Sequence, residues 1–386
     1  MLAYTKDRGY AWLIVLQGFI GSSLSDGGVF AFGIFLPLYV ESLNSSTFSV
    51  ALIGSLAFAV SLALSPLTGW LTDTYGPRKV LFVSAILSSL GFYTASLSTT
   101  LWQLLLSQGL LVGLGASGAY VASQAAIGYW FNERRGLAMG LSGSGTGFGS
   151  LFFLLIVNAL LLNGLQYTLQ VIALFELIGL LLASCLASRF DEPGSQSISK
   201  NSTSAPTIVA KTRNVSINQP PEDVEEDDDD NDDAEDNNFS RTRLDVATSQ
   251  RISKSLWRSK KFVYLLLAFG VLSFGDCVPM TFLPFYAQSL GISIALSNDL
   301  VAFLGIGSGV GRILIGFFAD KCSKLWLLLV TLSICSILTL GWLGYDNYSA
   351  LVCYAFFFGL FFGAFNVLVG PISLELFGPE EVSNIK

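Results

Sequence analysis

The stretch Gly69-Trp70-Leu71-Thr72-Asp73-Thr74-Tyr75-Gly76-Pro77-Arg78-Lys79 decides the architecture of this chain, because a shortened copy, Gly316-Phe317-Phe318-Ala319-Asp320-Lys321, returns 247 residues later. The same offset carries Leu36-Pro37-Leu38-Tyr39 onto Leu283-Pro284-Phe285-Tyr286, so two landmarks keep register in both copies. A repeat of this kind, set in apolar sequence, predicts two similar membrane-embedded halves around a shared centre.

Outward from the repeat, composition sets the class. Of 386 residues, 52% are hydrophobic and only 13% charged. Ten stretches approach or exceed the ~20 apolar residues that a helix needs to cross a bilayer. They lie near 11–40, 49–71, 80–98, 101–128, 137–162, 165–188, 262–288, 298–319, 324–344 and 350–377. A chain of this kind buries apolar surface in lipid and between helices, which excludes a soluble globular domain.

Positive charge orients the spans, since cytoplasmic loops collect Lys and Arg during insertion. Lys6 and Arg8 precede span 1, Arg78 and Lys79 follow span 2, and Arg134 and Arg135 follow span 4. The residues from Arg189 to Lys261, between spans 6 and 7, carry eleven more; Lys321 and Lys324 follow span 8, and Lys386 follows span 10. All of these fall on one side. Both termini and the central loop are therefore expected to be cytoplasmic, and the uncleaved polar start reads as a signal anchor.

The segment 191–261 differs in character, being rich in Ser, Asn and Thr and carrying the run Glu222-Asp223-Val224-Glu225-Glu226-Asp227-Asp228-Asp229-Asp230. Such composition predicts a disordered, solvated linker. Leaving out the twelve acids between Glu222 and Asp236 moves the formal charge from −7 to +5, so the acidic balance belongs to the linker and not to the spans. Arg258, Lys260 and Lys261, just before span 7, are expected at an anionic lipid surface.

The five cysteines form no CxxC pair and the chain has no histidine. Neither a disulfide framework nor a zinc or heme site is expected, and the commonest general base is missing. No metal, cofactor or nucleic-acid partner is expected.

Charge inside apolar spans carries the functional signal, because each such group costs roughly 2.5–3.5 kcal/mol on insertion scales and needs a partner or a wet cavity. Four positions stand out: Asp26 in span 1, Glu176 in span 6, Asp276 in span 7 and Arg312 in span 8. Arg312 can hold a carboxylate through two parallel hydrogen bonds, which Lys cannot do. A buried Asp can take up and release a proton. An anion site with an attached proton carrier follows; the structural alternative is that Arg312 pairs with Asp276 to hold spans 7 and 8 together. Glu176, away from other polar residues, reads as a packing position. Small residues add a further signal: Gly109 and Gly113, Gly359 and Gly363, and the dense set Gly136, Gly140, Gly143, Gly145, Gly147 and Gly149 predict close helix approach.

Residues 69–79 resemble the signature between the second and third helices of the major facilitator superfamily, with Asp73 and Arg78 at its characteristic positions. Within that superfamily, Asp7-Arg8-Gly9-Tyr10-Ala11-Trp12 is similar to the opening of the monocarboxylate transporter family. Tyr129-Trp130-Phe131-Asn132-Glu133-Arg134-Arg135-Gly136-Leu137-Ala138-Met139-Gly140 resembles that family's second signature. The resemblance implies that Arg312 is the substrate arginine. It also shows two departures: the span 1 lysine of proton-coupled members is replaced by Phe30, and a span 8 Asp by Ser308, which leaves Asp26 and Asp276 to take over the carboxylate's work. Members have twelve helices, and this sequence runs through the tenth, so helices 11 and 12 are expected to be missing.

The expected architecture is an all-α membrane protein with a major facilitator-type two-bundle fold of about ten transmembrane helices. Residues 1–190 form a six-helix bundle, 191–261 the acidic linker and 262–386 a partial four-helix bundle. The expected function is secondary transport of a small organic anion, a monocarboxylate, with H+ as a coupled ion, by alternating access across the plasma membrane. Arg312, Asp26, Asp276 and Phe30 line the substrate site, and Asp73, Arg78, Lys79, Arg134, Arg135 and Asp320 form a cytoplasmic gate. Partners are the anion, the proton and the lipid bilayer, with an accessory membrane protein left open. Two other classes compete: a non-transporting membrane scaffold, regulator or sensor, and an intramembrane enzyme, for which no second Asp or Ser-His pair is in place.

Overall fold

The computed structural model describes residues 6–30, 32–188, 263–264, 267–268, 279 and 282–377. Asp276 and the linker expected at 191–261 lie outside them. The chain divides into two units, one made of Met1–Phe190 with Gly275–Lys386 and the other of Asp191–Phe274. The first unit carries the fold; in the second, the described residues 263–264 and 267–268 are helical.

Every regular element among the described residues is helical. The expected first span is α1 (Ala11–Phe30) followed by α2 (Phe32–Leu43), which contains Pro37. The second is α3 (Thr47–Ala63) and α4 (Ser65–Tyr75), bent by 47° at Leu64. Pro66 explains the bend, because in the first turn of α4 it has no amide hydrogen to continue the ladder of α3. The quoted motif then closes on a single residue: Gly76, at φ 88°, ends α4, and Pro77 starts α5 (Pro77–Ser96) with its backbone already set for a helix.

Next come α6 (Leu101–Leu104), a π-helical turn Leu105–Leu111 and α7 (Val112–Trp130), continuous as one rod. α8 (Arg135–Leu160) ends in a 3₁₀ turn, Leu161–Asn163, and α9 (Leu165–Leu186) closes the first half. In the second half residues 282–289 are helical, followed by α10 (Ile294–Ala319), α11 (Lys324–Leu340), a 3₁₀ turn Gly341–Gly344 and α12 (Tyr348–Phe377). Five of these rods are long and apolar enough to cross a bilayer, and six if the bent α3–α4 pair counts as one span. Lys324–Leu340 and Tyr348–Ala364 are apolar but shorter, and the expected span 7 falls largely outside the described residues.

Burial is inverted relative to a water-soluble protein. Large apolar side chains such as Trp70, Phe82, Leu155, Leu174, Leu329 and Ile337 face outward, whereas Gln17, Ser22, Ser123, Ser142, Glu176 and Arg312 are buried. In water so much exposed apolar surface would drive association; in lipid it has no such cost. One apolar cluster, including Phe35, Ile53, Leu81, Phe92, Phe153 and Ile172, fills the first half, and another, around Leu300, Leu304, Tyr354 and Phe358, the second. α8 touches both, packing on α1 on one side and on α10 on the other.

Candidate functional site

The double contact of α8 is made by glycine. An added methyl at Gly145 or Gly149 would run into the backbone of Phe19 or Ser23 on α1. On the other side, a methyl at Gly136 would meet the Gly316 carbonyl at 2.7 Å, one at Gly140 the Gly316 Cα at 3.0 Å, and one at Gly147 the Gly309 amide at 2.5 Å. α8 therefore lies backbone-to-backbone against both halves. The small residues noted in the sequence are its two contact faces.

Arg312 sits in this seam, on α10, only 1% exposed. Its stem lies over Gly363 of α12, where a methyl would meet Cγ at 2.6 Å, and Nη1 donates to the Gly143 carbonyl of α8 at 2.8 Å. Nε has no partner among the described residues. An unpaired guanidinium N–H in a low-dielectric interior is costly, which makes it a ready donor for an incoming anion. Beside it is a cavity of about 60 Å³ whose polar lining is Thr146, Ser150, Ser308 and Arg312, with Gly147 and Gly305 as floor. That volume holds a few water molecules.

Asp26 lies across the seam on α1, partly buried, accepting from Thr146 Oγ1 at 3.1 Å and attracted by the charge of Arg312. Tyr120 on α7 feels both charges. The structure thus brings together two of the four expected substrate-site residues, Arg312 and Asp26. Asp276 is outside the described residues. Phe30 is the last residue of α1, and its side chain is likewise outside the description.

Below Asp26 runs a ladder of uncharged polar groups that sequence reading missed. Gln124 of α7 donates to both Ser22 of α1 at 3.0 Å and Ser142 of α8 at 3.1 Å. Each of these three residues lies four positions from Tyr120, Asp26 or Thr146, one helical turn away. Lower again, Gln17 donates to Ser123 at 3.1 Å. Glutamine and serine are unremarkable helix residues one at a time. Only the recurrence of polar positions at helical spacing, 22 and 26, 120 and 124, 142 and 146, could have signalled them.

At the end of α8 that carries Arg134 and Arg135, two carboxylates hold the helix entrance. Asp320 accepts from the amides of Gly136 at 2.6 Å and Leu137 at 2.9 Å. Asp7, at φ 62°, accepts from those of Asn132, Glu133 and Arg134 at 3.1–3.3 Å. Both satisfy free amides at the positive end of the helix dipole. Of the expected gate residues, Asp73 accepts from Tyr129 Oη at 2.9 Å. Arg78, Lys79 and Arg134 are exposed, Arg78 offering its main-chain carbonyl to Ser184 at 3.0 Å. Arg135 lies half-buried along α7, in space left by Gly128. Asp7 and Tyr129 were quoted only as parts of motifs; the partners of Asp7 are backbone amides about 125 residues away, for which the sequence carries no signal.

The chain is 27% identical over 372 residues to the Fujikurins efflux protein of Gibberella fujikuroi, an alignment covering 95% of this chain and 69% of that protein. It is 36% identical over 157 residues to monocarboxylate transporter 13 of Rattus norvegicus, covering 41% and 37%. Among solved structures, the proton:xylose symporter XylE superposes with a TM-score of 0.57 at 15% identity, over 93% of this chain and 81% of that one. A bacterial homolog of the human lysosomal transporter Spinster, inward-facing and unoccupied, gives 0.59 at 14%, over 98% and 78%. These likenesses bear out the two-bundle helical fold. With the Major Facilitator Superfamily matched from residue 18 to residue 385, the chain belongs to that family of multi-pass membrane transporters.

Proposed function

We propose that this chain carries a small organic anion, a monocarboxylate, across a membrane together with a proton by alternating access between its two halves. The observation that carries the reading is Arg312, a buried guanidinium with an unpartnered Nε beside a hydroxyl-lined cavity in the seam between the halves. Asp26, within its electrostatic reach, is the proton carrier. The partial likeness to monocarboxylate transporter 13 supports the substrate class. Residues 1–190 and 262–386 serve as the two moving bodies and 191–261 as their cytoplasmic linker, with Asp276 and Phe30 completing the site. The cytoplasmic gate comprises Asp73, Arg78, Lys79, Arg134, Arg135 and Asp320, and the plasma membrane is the site of action.

The test is uptake of radiolabelled monocarboxylates by cells expressing the full chain. Arg312→Lys should raise KM about tenfold, equivalent to about 1.4 kcal/mol, because an ammonium lacks the planar two-point contact. Arg312→Gln should lose more, since the anion would then enter without a countercharge. If Arg312 serves only to balance Asp26, the double variant Arg312→Gln/Asp26→Asn should recover transport. Recovery would refute the substrate-anchor role.

A further inference from the structure

Glu176 is a buried carboxyl group that the transport cavity does not use. It lies midway along α9: eleven residues, about 16 Å, from Leu165, and eight residues, about 12 Å, from Ser184, whose hydroxyl meets the Arg78 carbonyl. It is 0% exposed. Oε2 accepts a long 3.3 Å hydrogen bond from Ser88 of α5, and Oε1 has no partner among the described residues.

Among the described residues, its surroundings contain no counterion. Oε1 points at Gly28 of α1, where a methyl would come within 3.0 Å of it, and the Phe92 ring of α5 closes the same space. The elements packed against α9 are α5, α1, α8 and the 3₁₀ turn before it. Their titratable groups are Asp26 on α1, Arg78, Lys79 and Tyr93 on α5, and Arg135 on α8; α9 itself adds Tyr167 and Cys185. Asp26 is bonded to Thr146 of α8, whereas Glu176 meets α1 at Gly28. Arg78 and Lys79 lie in the first turn of α5, ten and nine residues from Ser88, or about 15 and 14 Å. Tyr93 is exposed and Arg135 starts α8 at the far end. An ionised carboxylate so placed, with one weak donor and no cation, is too costly to persist.

From this geometry we infer that Glu176 is a second proton-binding site, separate from the Asp26–Arg312 cavity, which holds its proton while α1 is seated on α5 and α9 and releases it when α1 moves away. From α1, Gly28, which has no side chain, lies against Oε1, with Leu24 packed one turn away over Gly179, so a shift of that helix by one water diameter hydrates the carboxyl and allows it to ionise. The seated arrangement binds the extra proton. It is therefore favoured as pH falls and loses that contribution as pH rises.

Infrared absorption of the purified full-length protein in lipid tests the site directly. At neutral pH the wild type should show a protonated-carboxyl stretching band that is lost in Glu176→Gln and disappears on alkaline titration. Ser88→Ala, which keeps the carboxyl but removes its hydrogen bond, should shift the same band and serves if the Gln variant fails to fold. Hydrogen exchange of the α1 amides, corrected for intrinsic base catalysis, should accelerate through the titration in wild type but not in Glu176→Gln. Absence of the band at neutral pH, no shift in Ser88→Ala, a band that persists until the protein denatures, or identical α1 exchange in both proteins would each overturn the inference. None of these readouts involves substrate, so they stand or fall apart from the monocarboxylate reading.

Discussion

Asp320 and Gly136 are joined across the two halves of the chain by a 2.6 Å hydrogen bond from the Gly136 amide to the Asp320 carboxylate. Asp320 ends α10, and Gly136 is in the first turn of α8. With the second oxygen on Leu137 at 2.9 Å, one side chain from the second half caps a helix of the first. The cap exists only while the two helix ends are together, because neither residue can reach its partner once the seam opens at that end.

Asp320→Asn should therefore loosen the start of α8. Replacing a charged cap by a neutral one costs on the order of 1 kcal/mol at a helix N-terminus. Hydrogen exchange of the amides of residues 136–139 should speed up about fivefold, the factor equivalent to that energy. Unchanged exchange would mean that the contact contributes nothing to closing this end.

Gly140→Ala and Gly147→Ala should each reduce transport at least tenfold while leaving expression intact. The added methyl would strike α10 backbone, which cannot yield as a side-chain tip could. Gly33→Ala is the control, since a methyl there meets nothing within 4 Å. Uptake assays on the three variants decide it; equal activity in all of them would show that the halves need not approach this closely.

Asp7→Ala should release the 132–134 loop, whose three amides it gathers. The loss is on the order of 1 kcal/mol, because the group is only partly buried and solvent can replace it. Trypsin added to the side bearing this loop should cut after Arg134 or Arg135 several-fold faster than in wild type. Unaltered cleavage would place the order of the loop elsewhere, for instance in the Asp7 amide bond to the Trp130 carbonyl at 3.1 Å.

Orientation can be read with cysteines introduced at Ser45 and Ser240, judged against the one-sided Lys and Arg. An impermeant maleimide should label the first in intact cells and the second only after permeabilisation. Labelling of both in intact cells would reverse or abolish the assigned topology.

The architecture was legible because the repeat is loud: Asp73 lies in the last turn of α4 and Asp320 directly after α10, each beside a tight turn. What each does there was not, because the partner of Asp320 is a pair of backbone amides, and amides have no sequence signature. Arg312 stood out as a lone cation, and Asp276, the partner suggested by closeness along the chain, lies outside the described residues. Among those described, Asp26, 286 positions earlier, shares its field. The bend at Leu64 was not read, since the second span was taken as one continuous stretch despite Pro66, and the glycines of α8 announced close packing without saying that Gly136, Gly140 and Gly147 meet one helix and Gly145 and Gly149 another.

The π turn at Leu105–Leu111 gives one last consequence. A π turn accommodates an extra residue within an otherwise α-helical rod, so everything after it is phased by that insertion. Deleting a single residue there would restore an ordinary helix and turn α7 by about 100° about its axis. Tyr120 would swing away from Asp26, and Gln124 would lose both serines. The polar network beside the cavity is thus set in part by a length difference nine residues upstream, in a segment that never touches it, and loss of transport there would read as a defect of the binding site while being a change of angle.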